Sequence, residues 1–574
     1  MDKTTIASAL HETGVLLEIL GENPFKVKAF INAARAVEAF SGDLAESARM
    51  GTLTQINGVG KSIAGKIGDM FSSGHFHELD ELRAKIPPGV MDMLKIPGLG
   101  PKKVKIIWEK MGVTTVGELE YACNENRLVE FPGFGAKSQE NVLKGIKLLT
   151  RFAGRRLLSE ALVSAGPLLE WVVKSPHVQR AQIAGSLRRG LETVKDIDIV
   201  SSSKKPEEVM ERFIKYPGVT DVINHGPTKS SVRLDSGFQA DLRVVADDEY
   251  AFALAHFTGS REHNTIMRGR AKDRGLKLNE YGLFKGEQRL DCVDEAAIFK
   301  SLGLSFIPPE MREGFGEIGL AEKGAVPELM EPEQVKGIFH CHTKRSDGAE
   351  SAEEMAKACK TLGYEYLGIS DHSKTAAYAG GLSDSELLEQ GDEIAALNGR
   401  MKEFRVFHGV ESDILADGSL DYPSKILEKL DFVIASIHSG FTMDEKKMTD
   451  RIIAAIKNPF TTMLGHPTGR LLLAREGYSV NLGKVLEACA EHEVVMELNA
   501  NPHRLDIDWR MLALAKKLGV KVSINPDAHR AGGLTDVYYG VKTARKGGLR
   551  AQDVFNTLPA DKMAEELKRR KKKK

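Results

Sequence analysis

The sequence predicts a multidomain protein with an α-helical N-terminal region, an α+β middle and a C-terminal (β/α)7 barrel. Three observations carry that expectation. Apolar residues recur at helical spacing through residues 1–150, as in ASALHETGVLLEIL and VKAFINAARAVEAF. From about 155 to 310, β-rich runs (DIDIVSSS, FQADLRVV, LKLNEYGLF) mix with helical stretches (PEEVMERFIKY, EYAFALAHF, NTIMRGRAKDRG). After 335, short β-like runs alternate regularly with helical stretches, the pattern of a β/α fold.

Composition narrows the class. A chain of 574 residues, 42% hydrophobic and 28% charged, is neither disordered nor fibrous. No apolar run approaches the roughly 18–20 residues of a membrane span. The acidic start MDKTTIASALHE lacks a signal-peptide core, so the expectation is no membrane and a cytosolic location. Five scattered cysteines (Cys123, Cys292, Cys341, Cys359, Cys489) fit a reducing compartment rather than a disulfide framework. Net charge is zero, although residues 301–450 are strongly acidic and the tail KRRKKKK is wholly basic. Nucleic-acid binding therefore has to come from local patches and backbone donors, with the tail adding sequence-independent phosphate attraction.

In the helical region one pattern occurs three times: INGVGKSIAGKI (56–67), IPGLGPKKVKII (96–107) and FPGFGAKSQENV (131–142). Each has an apolar residue, a spacer, Gly-apolar-Gly and then an amphipathic helix. The glycine pairs are Gly58/Gly60, Gly98/Gly100 and Gly133/Gly135. They permit a tight turn, and the following helix begins with free N–H groups suited to phosphate. Lys61, Lys102, Lys103 and Lys137 sit where they could help. This is the helix-hairpin-helix element, which grips the nucleic-acid backbone without reading bases. Three copies point to DNA binding.

In the middle region, GSLRRGLETVKDIDIV (185–200) collects phosphate-transfer chemistry. Gly185 and Ser186 offer backbone and hydroxyl donors, and Arg188 and Arg189 offer positive charge. Asp196 and Asp198, at i and i+2 on a strand, share one face. Asp241, in FQADLRVV, lies on another predicted strand. Three carboxylates at a pair of divalent ions suit in-line phosphoryl transfer.

This stretch resembles the palm of the X-family DNA polymerases, the polymerase β type. FTGSREHNTIMRGRA (257–271) is similar to that family's nucleotide-binding region. The resemblance implies that Ser186 and Arg189 hold the triphosphate and that Phe257 and Gly259 lie by the incoming sugar. It places Asn264 and Arg268 at the nascent base pair or template. Asp196 and Asp198 would bind both Mg²⁺ or Mn²⁺ ions, with Asp241 helping to activate the primer 3′-OH. His256 stands where animal relatives carry Tyr, so the resemblance leaves sugar discrimination open. NPFKVKAFINAAR and INGVGKSIAGKIGDMF resemble the family's 5′-phosphate-binding domain, with Phe30 in place of a Tyr. That implies Lys66 as a Schiff-base lysine of a lyase and Lys26 as a 5′-phosphate contact.

The C-terminal half has its own logic. Seven β-like runs end in candidate ligands: His340 and His342; Asp371-His372; Glu411; His438; His466; Glu497; and Asp527 with His529. The spacing of these ends is that of one β/α unit, and seven units can close into a barrel with chemistry at the strands' C-terminal ends. Imidazole and carboxylate together suit Zn²⁺, Mn²⁺ or Fe²⁺. The half resembles the PHP phosphoesterases. The positions matching that family's ligand set are His340, His342, Asp347, His372, Glu411, His438, His466, Asp527 and His529, which implies two or three divalent ions. Glu497 and Asn499 lie near the site by position without being counted as ligands.

The expected organisation is a lyase-like helical domain with the first hairpin (1–90) and a hairpin DNA-binding region (91–154). A nucleotidyltransferase palm with its nucleotide-binding subdomain follows (155–310), then a linker (311–334) and the PHP domain with its basic tail (335–574). The expected protein is a bacterial gap-filling repair polymerase with a 3′→5′ exonuclease, working as a monomer in the cytosol on gapped or primed DNA and dNTPs. Removal of 3′-phosphates and abasic-site cleavage are further activities of this expectation. The rival readings are a small-molecule phosphatase tethered to DNA and a non-catalytic DNA-end scaffold.

Overall fold

A computed structural model describes residues 3–40, 42–124, 127–152 and 154–572. The chain divides into two compact units, Met1–Ala153 and Gly154–Lys574.

The first unit is wholly helical among the described residues. Its core gathers one face of each helix, from Ile6, Leu10 and Leu17 of Lys3–Leu20 to Val142 and Ile146 of Ala136–Phe152. The three hairpins are built alike. Gly58, Gly98 and Gly133 have left-handed φ of 97°, 85° and 88°, a region closed to most side chains. In each turn the residue between the glycines (Val59, Leu99, Phe134) is buried and donates its N–H to the apolar residue three back (Ile56, Ile96, Phe131). The second glycine's carbonyl accepts the first helical bond in each case, from Ala64, Val104 and Gln139. Gly60 and Gly100 cap their helices with no side-chain hydrogen bond, so the first N–H groups of these helices stay available.

The second unit begins with a five-stranded sheet in the order Val178–Ile183, Asp196–Ser203, Gln239–Val245, Lys229–Leu234, Val219–His225. The central pair, Asp196–Ser203 and Gln239–Val245, is parallel and the other pairs are antiparallel. Helices Leu158–Val173 and Pro206–Ile214 supply core residues for one side of the sheet. Helix Tyr250–Thr258 joins Ala184 and Val200 in a second cluster. The run LKLNEYGLF resolves into two short strands of one hairpin, Lys277–Asn279 and Gly282–Lys285.

The seven expected barrel strands all form, in sequence order and parallel throughout: Gly337–Cys341, Tyr366–Ile369, Arg405–Asp413, Phe432–Ser436, Met463–Leu464, Val495–Asn499 and Val522–Asn525. The seam is closed just past the strands, where His342 N–H donates to the Ala528 carbonyl (2.9 Å) and Ala528 N–H to that of His340 (3.2 Å). Phe339, Tyr366, Phe407, Phe432 and Phe555 form a separate aromatic cluster.

Residues 311–334, expected as a linker, are packed along much of their length. They include helix Glu317–Glu322; Arg312 is buried, Ile318 and Ala321 join a core with Phe252 and Phe299, and Met330 lies in the barrel core. Low periodicity concealed this, because the anchoring contacts are distant in sequence. The basic tail is likewise not simply solvated. Helix Ala560–Lys572 carries Arg569 and Arg570 onto Glu566, and Arg569 also pairs with Glu493. Lys573 and Lys574 lie outside the described residues. The five cysteines are free and buried, and no helix among the described residues is long and apolar enough to cross a membrane.

Candidate active sites

In the sheet, the register Asp198↔Asp241 sets two carboxylates side by side on adjacent parallel strands, and Asp196 lies two residues before Asp198 on the same face. The turn Gly185–Arg188 packs directly against them. Gly185 has φ 61°, and a Cβ there would fall 2.0 Å from Asp198 Oδ2, so only glycine fits. Burial, reinforced by Asp196 and Asp241, pushes the Asp198 carboxyl up to about 7. Such crowded carboxylates match the donor chemistry of divalent cations. Asp241 is held by Lys229 (3.1 Å) and by Gln239 (2.9 Å).

Around this face the expected nucleotide contacts fall into two groups. Ser186 sits in the turn beside Asp198. Arg189, in contrast, is already engaged: its Nε donates to Glu313 (2.9 Å) and its Nη1 to the Thr258 carbonyl (2.8 Å). Arg188 pairs with Glu295 and also donates to Thr258 Oγ1. Asn264 secures the turn after Tyr250–Thr258, donating to the carbonyls of His256 (2.7 Å) and Gly259 (3.1 Å). Arg268 leans on the Asn264 carbonyl, and Arg243 stacks 4.3 Å from the Phe257 ring centroid. The pairing of Arg189 with Glu313, 124 residues away, is invisible to local pattern.

The barrel assembles all nine expected ligands. Glu411 is the hub, within 2.9–3.6 Å of ring nitrogens of His466, His372, His340, His438 and His342. Asp527 faces His342 (3.3 Å) and His340 (3.5 Å), and Asp347 faces His529 (3.3 Å) and His372 (3.5 Å). These residues form four overlapping groups of ligand atoms, each within 4.8 Å: His342/Asp347/His372/His529, His340/His466/Asp527, His340/His342/Glu411 and His372/Glu411/His438. The palm trio is not among such groups, in keeping with Asp241 being drawn to Lys229. Burial alone would raise Glu411, but His340, His438 and His372 hold it well below the usual carboxylate range. Both ring nitrogens of His342 and Nε2 of His340 are buried without a hydrogen-bond partner. Imidazole and carboxylate groups converging around buried, unpartnered ring nitrogens are what a divalent cation satisfies, so the residues fit the metals.

His340 and His342 do not simply share a regular strand face; the register shifts between Ile338 and Cys341, and His340 takes a left-handed φ of 58°. The bulge turns both rings inward. Sequence reasoning placed Glu497 and Asp371 at strand ends by the site without giving either a holding role, and did not single out Asp413. Glu497 grips His340 Nδ1 (2.6 Å), and Asp413 grips His438 Nδ1 (2.5 Å). Asp371 ties Thr343, Ser346 and Gln390 together beside His372. Such partners fix ring orientation and tautomer. The i+2 spacing of Asp413 from Glu411 was the available clue. Arg504, 3.4 Å from Asp527, adds a cation at the site.

In the helical unit, Lys66 and Lys26 share one carboxylate, Glu78, with Lys26 at 3.2 Å and Lys66 closer still. A neutral nucleophilic Lys66 would first have to leave this ion pair. Lys103 folds back onto the Gly98 carbonyl (3.1 Å).

A carboxylate-bearing nucleotidyltransferase palm and a His/Asp/Glu barrel in one chain define a two-site phosphoryl-transfer enzyme. Residues 253–313 match the DNA polymerase beta thumb, 339–501 the PHP domain, 1–76 a helix-hairpin-helix domain and 90–147 a SAM-like helix-hairpin-helix tandem. The DNA polymerase/3'-5' exonuclease PolX of Bacillus subtilis (strain 168) is 38% identical over 573 residues, 99% of this chain and 100% of the relative. A probable phosphatase of Thermoanaerobacter sp. (strain X514) is 30% identical over 245 residues, 41% of this chain and 95% of the relative. The chain belongs to the bacterial X-family DNA polymerases that carry a PHP domain: it is a metal-dependent DNA polymerase and 3′→5′ exonuclease that binds DNA.

Proposed function

We propose that the protein fills short gaps during base-excision-type DNA repair, transferring dNMP to a primer 3′-OH at the palm and trimming 3′ ends at the barrel. The observation that carries this reading is the Asp198↔Asp241 register, with Asp196 beside it, packed under the phosphate-facing Gly185–Arg188 turn. Asp196, Asp198 and Asp241 would hold Mg²⁺ or Mn²⁺, which supply charge neutralisation for the triphosphate and the attacking hydroxyl. Ser186 would hold the triphosphate with Arg189 once Glu313 releases it. Phe257 and Gly259 would border the sugar, and Asn264 and Arg268 the nascent pair. The hairpin backbone at Gly58, Gly60, Gly98, Gly100, Gly133 and Gly135, with Lys61 and Lys102, would grip duplex phosphates on either side of the gap. A 5′-phosphate displacing Glu78 from Lys26 and Lys66 would occupy the lyase-like site.

The nine barrel residues would hold two or three ions of Mn²⁺, Zn²⁺ or Fe²⁺, whose Lewis acidity favours attack on a phosphodiester. The short relatives named probable phosphatases support a second barrel activity, removal of 3′-phosphates. The protein would work as a cytosolic monomer.

The test uses a one-nucleotide-gapped duplex with a labelled primer in Mn²⁺, with and without dNTPs. Asp196→Ala/Asp198→Ala should lose extension alone, and His340→Ala/His342→Ala degradation alone. Absence of both activities in the wild type would overturn the reading and direct attention to phosphate monoesters.

A further inference from the structure

One buried cation in the second unit has no place in either chemistry. Lys546 ends helix Val537–Lys546, which packs outside the barrel, and its side chain is wholly buried. Its Nζ pairs with Glu313, donates to the main-chain carbonyls of Arg189 and Glu310 (3.2 Å each) and lies 4.7 Å from the Trp509 ring centroid. A buried ammonium is costly unless each proton finds an acceptor, and here three oxygens meet it. Two of them belong to the polymerase turn and its immediate partner: the Arg189 carbonyl and the Glu313 carboxylate. The same Glu313 oxygen accepts from Arg189 Nε at 2.9 Å. One carboxylate oxygen thus serves two cations, one from the palm and one from the barrel.

We infer that Lys546 is a positioning residue of the polymerase site, supplied by the exonuclease barrel. It fixes the main chain where the Gly185–Arg189 turn ends, and it keeps Glu313 paired when Arg189 turns to the triphosphate of an incoming nucleotide. Without Lys546, release of Arg189 would strand a nearly buried anion, because Glu313 is only 10% exposed. Arg189 would then stay on Glu313, and nucleotide would have to work against that pairing. This inference rests on the reading that Ser186 and Arg189 hold the triphosphate.

Single-nucleotide insertion on the gapped duplex, read as KM for dNTP separately from kcat, tests it in the full-length protein. Lys546→Met should raise KM about tenfold, the cost of one charged hydrogen-bond partner, with kcat nearly unchanged. Exonuclease activity on single-stranded DNA should stay at the wild-type level, and Lys546→Arg should restore KM. Glu313→Gln, which frees Arg189 directly, should lower KM, and the double variant Glu313→Gln/Lys546→Met should keep that lowered KM, because Lys546 acts through the Glu313 charge. An unchanged KM in Lys546→Met, or an equal loss of both activities, would overturn the inference. So would simple additivity in the double variant. If Lys546→Met does not fold, a raised KM in Glu313→Gln overturns it instead. Ser186→Ala separates the two levels: an unchanged KM there fails the nucleotide-site reading and the inference with it. A raised KM in Ser186→Ala beside an unchanged one in Lys546→Met fails the inference alone.

Discussion

The two candidate metal-binding regions solve one problem in opposite ways. In the barrel, nine candidate ligands come from the ends of six of the seven strands and the loops that follow them, and most of them are buried. Their orientation is set by partners such as Glu497 and Asp413. In the palm, three carboxylates line an open sheet, and one of them is drawn off by Lys229. The barrel is organised before any ligand arrives. The palm has the right groups in register but leaves its final geometry to metal and nucleotide. A nuclease that must hold several ions continuously benefits from the first arrangement. A polymerase that takes in a metal-bound triphosphate at each turnover can use the second.

This contrast can be broken most severely at the carboxylates. Asp198→Ala should reduce extension by at least about a thousandfold, as loss of several kcal/mol of transition-state stabilisation requires. Degradation in the same preparation should be unaffected; a parallel loss in a gel assay of both reactions would mean that the sites are not independent. Next in size is the barrel floor. Phe339→Ala removes a wholly buried ring from the aromatic cluster and should cost about 3–5 kcal/mol in denaturant unfolding of the second unit. A loss below 1 kcal/mol would show that the cluster does not brace the barrel.

Glu497→Gln probes organisation without removing a ligand. Barrel metal affinity, measured by chelator competition, should fall about 10–100-fold, while KM for dNTP stays put. Unaltered affinity would mean that His340 needs no outside hold. The smallest effect is expected at Lys229→Met. It releases Asp241 from a half-exposed ion pair worth at most about 1 kcal/mol, so the Mg²⁺ concentration for half-maximal extension should drop by no more than about fivefold. A rise instead would show that Lys229 assists the palm rather than competing with its metal. Dialysis against a weak chelator sharpens the comparison: the barrel ions should persist in elemental analysis after palm-dependent extension has become strictly dependent on added metal.

Much of this was legible because the chemistry recurs at fixed local intervals. Gly-apolar-Gly before an amphipathic run is enough to specify each hairpin, and all three turns form the same hydrogen bonds. Asp196-x-Asp198 follows from strand alternation, and the regular return of His, Asp or Glu at strand ends located the barrel site, while the set of nine candidate ligands came from the resemblance to the PHP phosphoesterases. What escaped was set by contacts far apart in the chain. The Arg189–Glu313 pair spans 124 residues, and the Lys546 contact with Arg189 spans 357. Residues 311–334 looked like a linker for the same reason, since Met330 is buried in the barrel core and bonds the distant Leu549 carbonyl.

The sequence by itself determined the order of the textures along the chain, the hairpin turns, the barrel strands and the positions of the candidate metal-ligating groups at their ends. Glycine's backbone freedom, the two-residue period of a strand and the length of a β/α unit are local constraints that any chain must obey. The tertiary structure alone decided which charges face each other: Glu411 at the centre of five histidines, Lys66 against Glu78, and Arg189 and Lys546 on one oxygen of Glu313. Coulomb energy depends on separation and on exclusion of water, and both are settled only when distant segments are packed together.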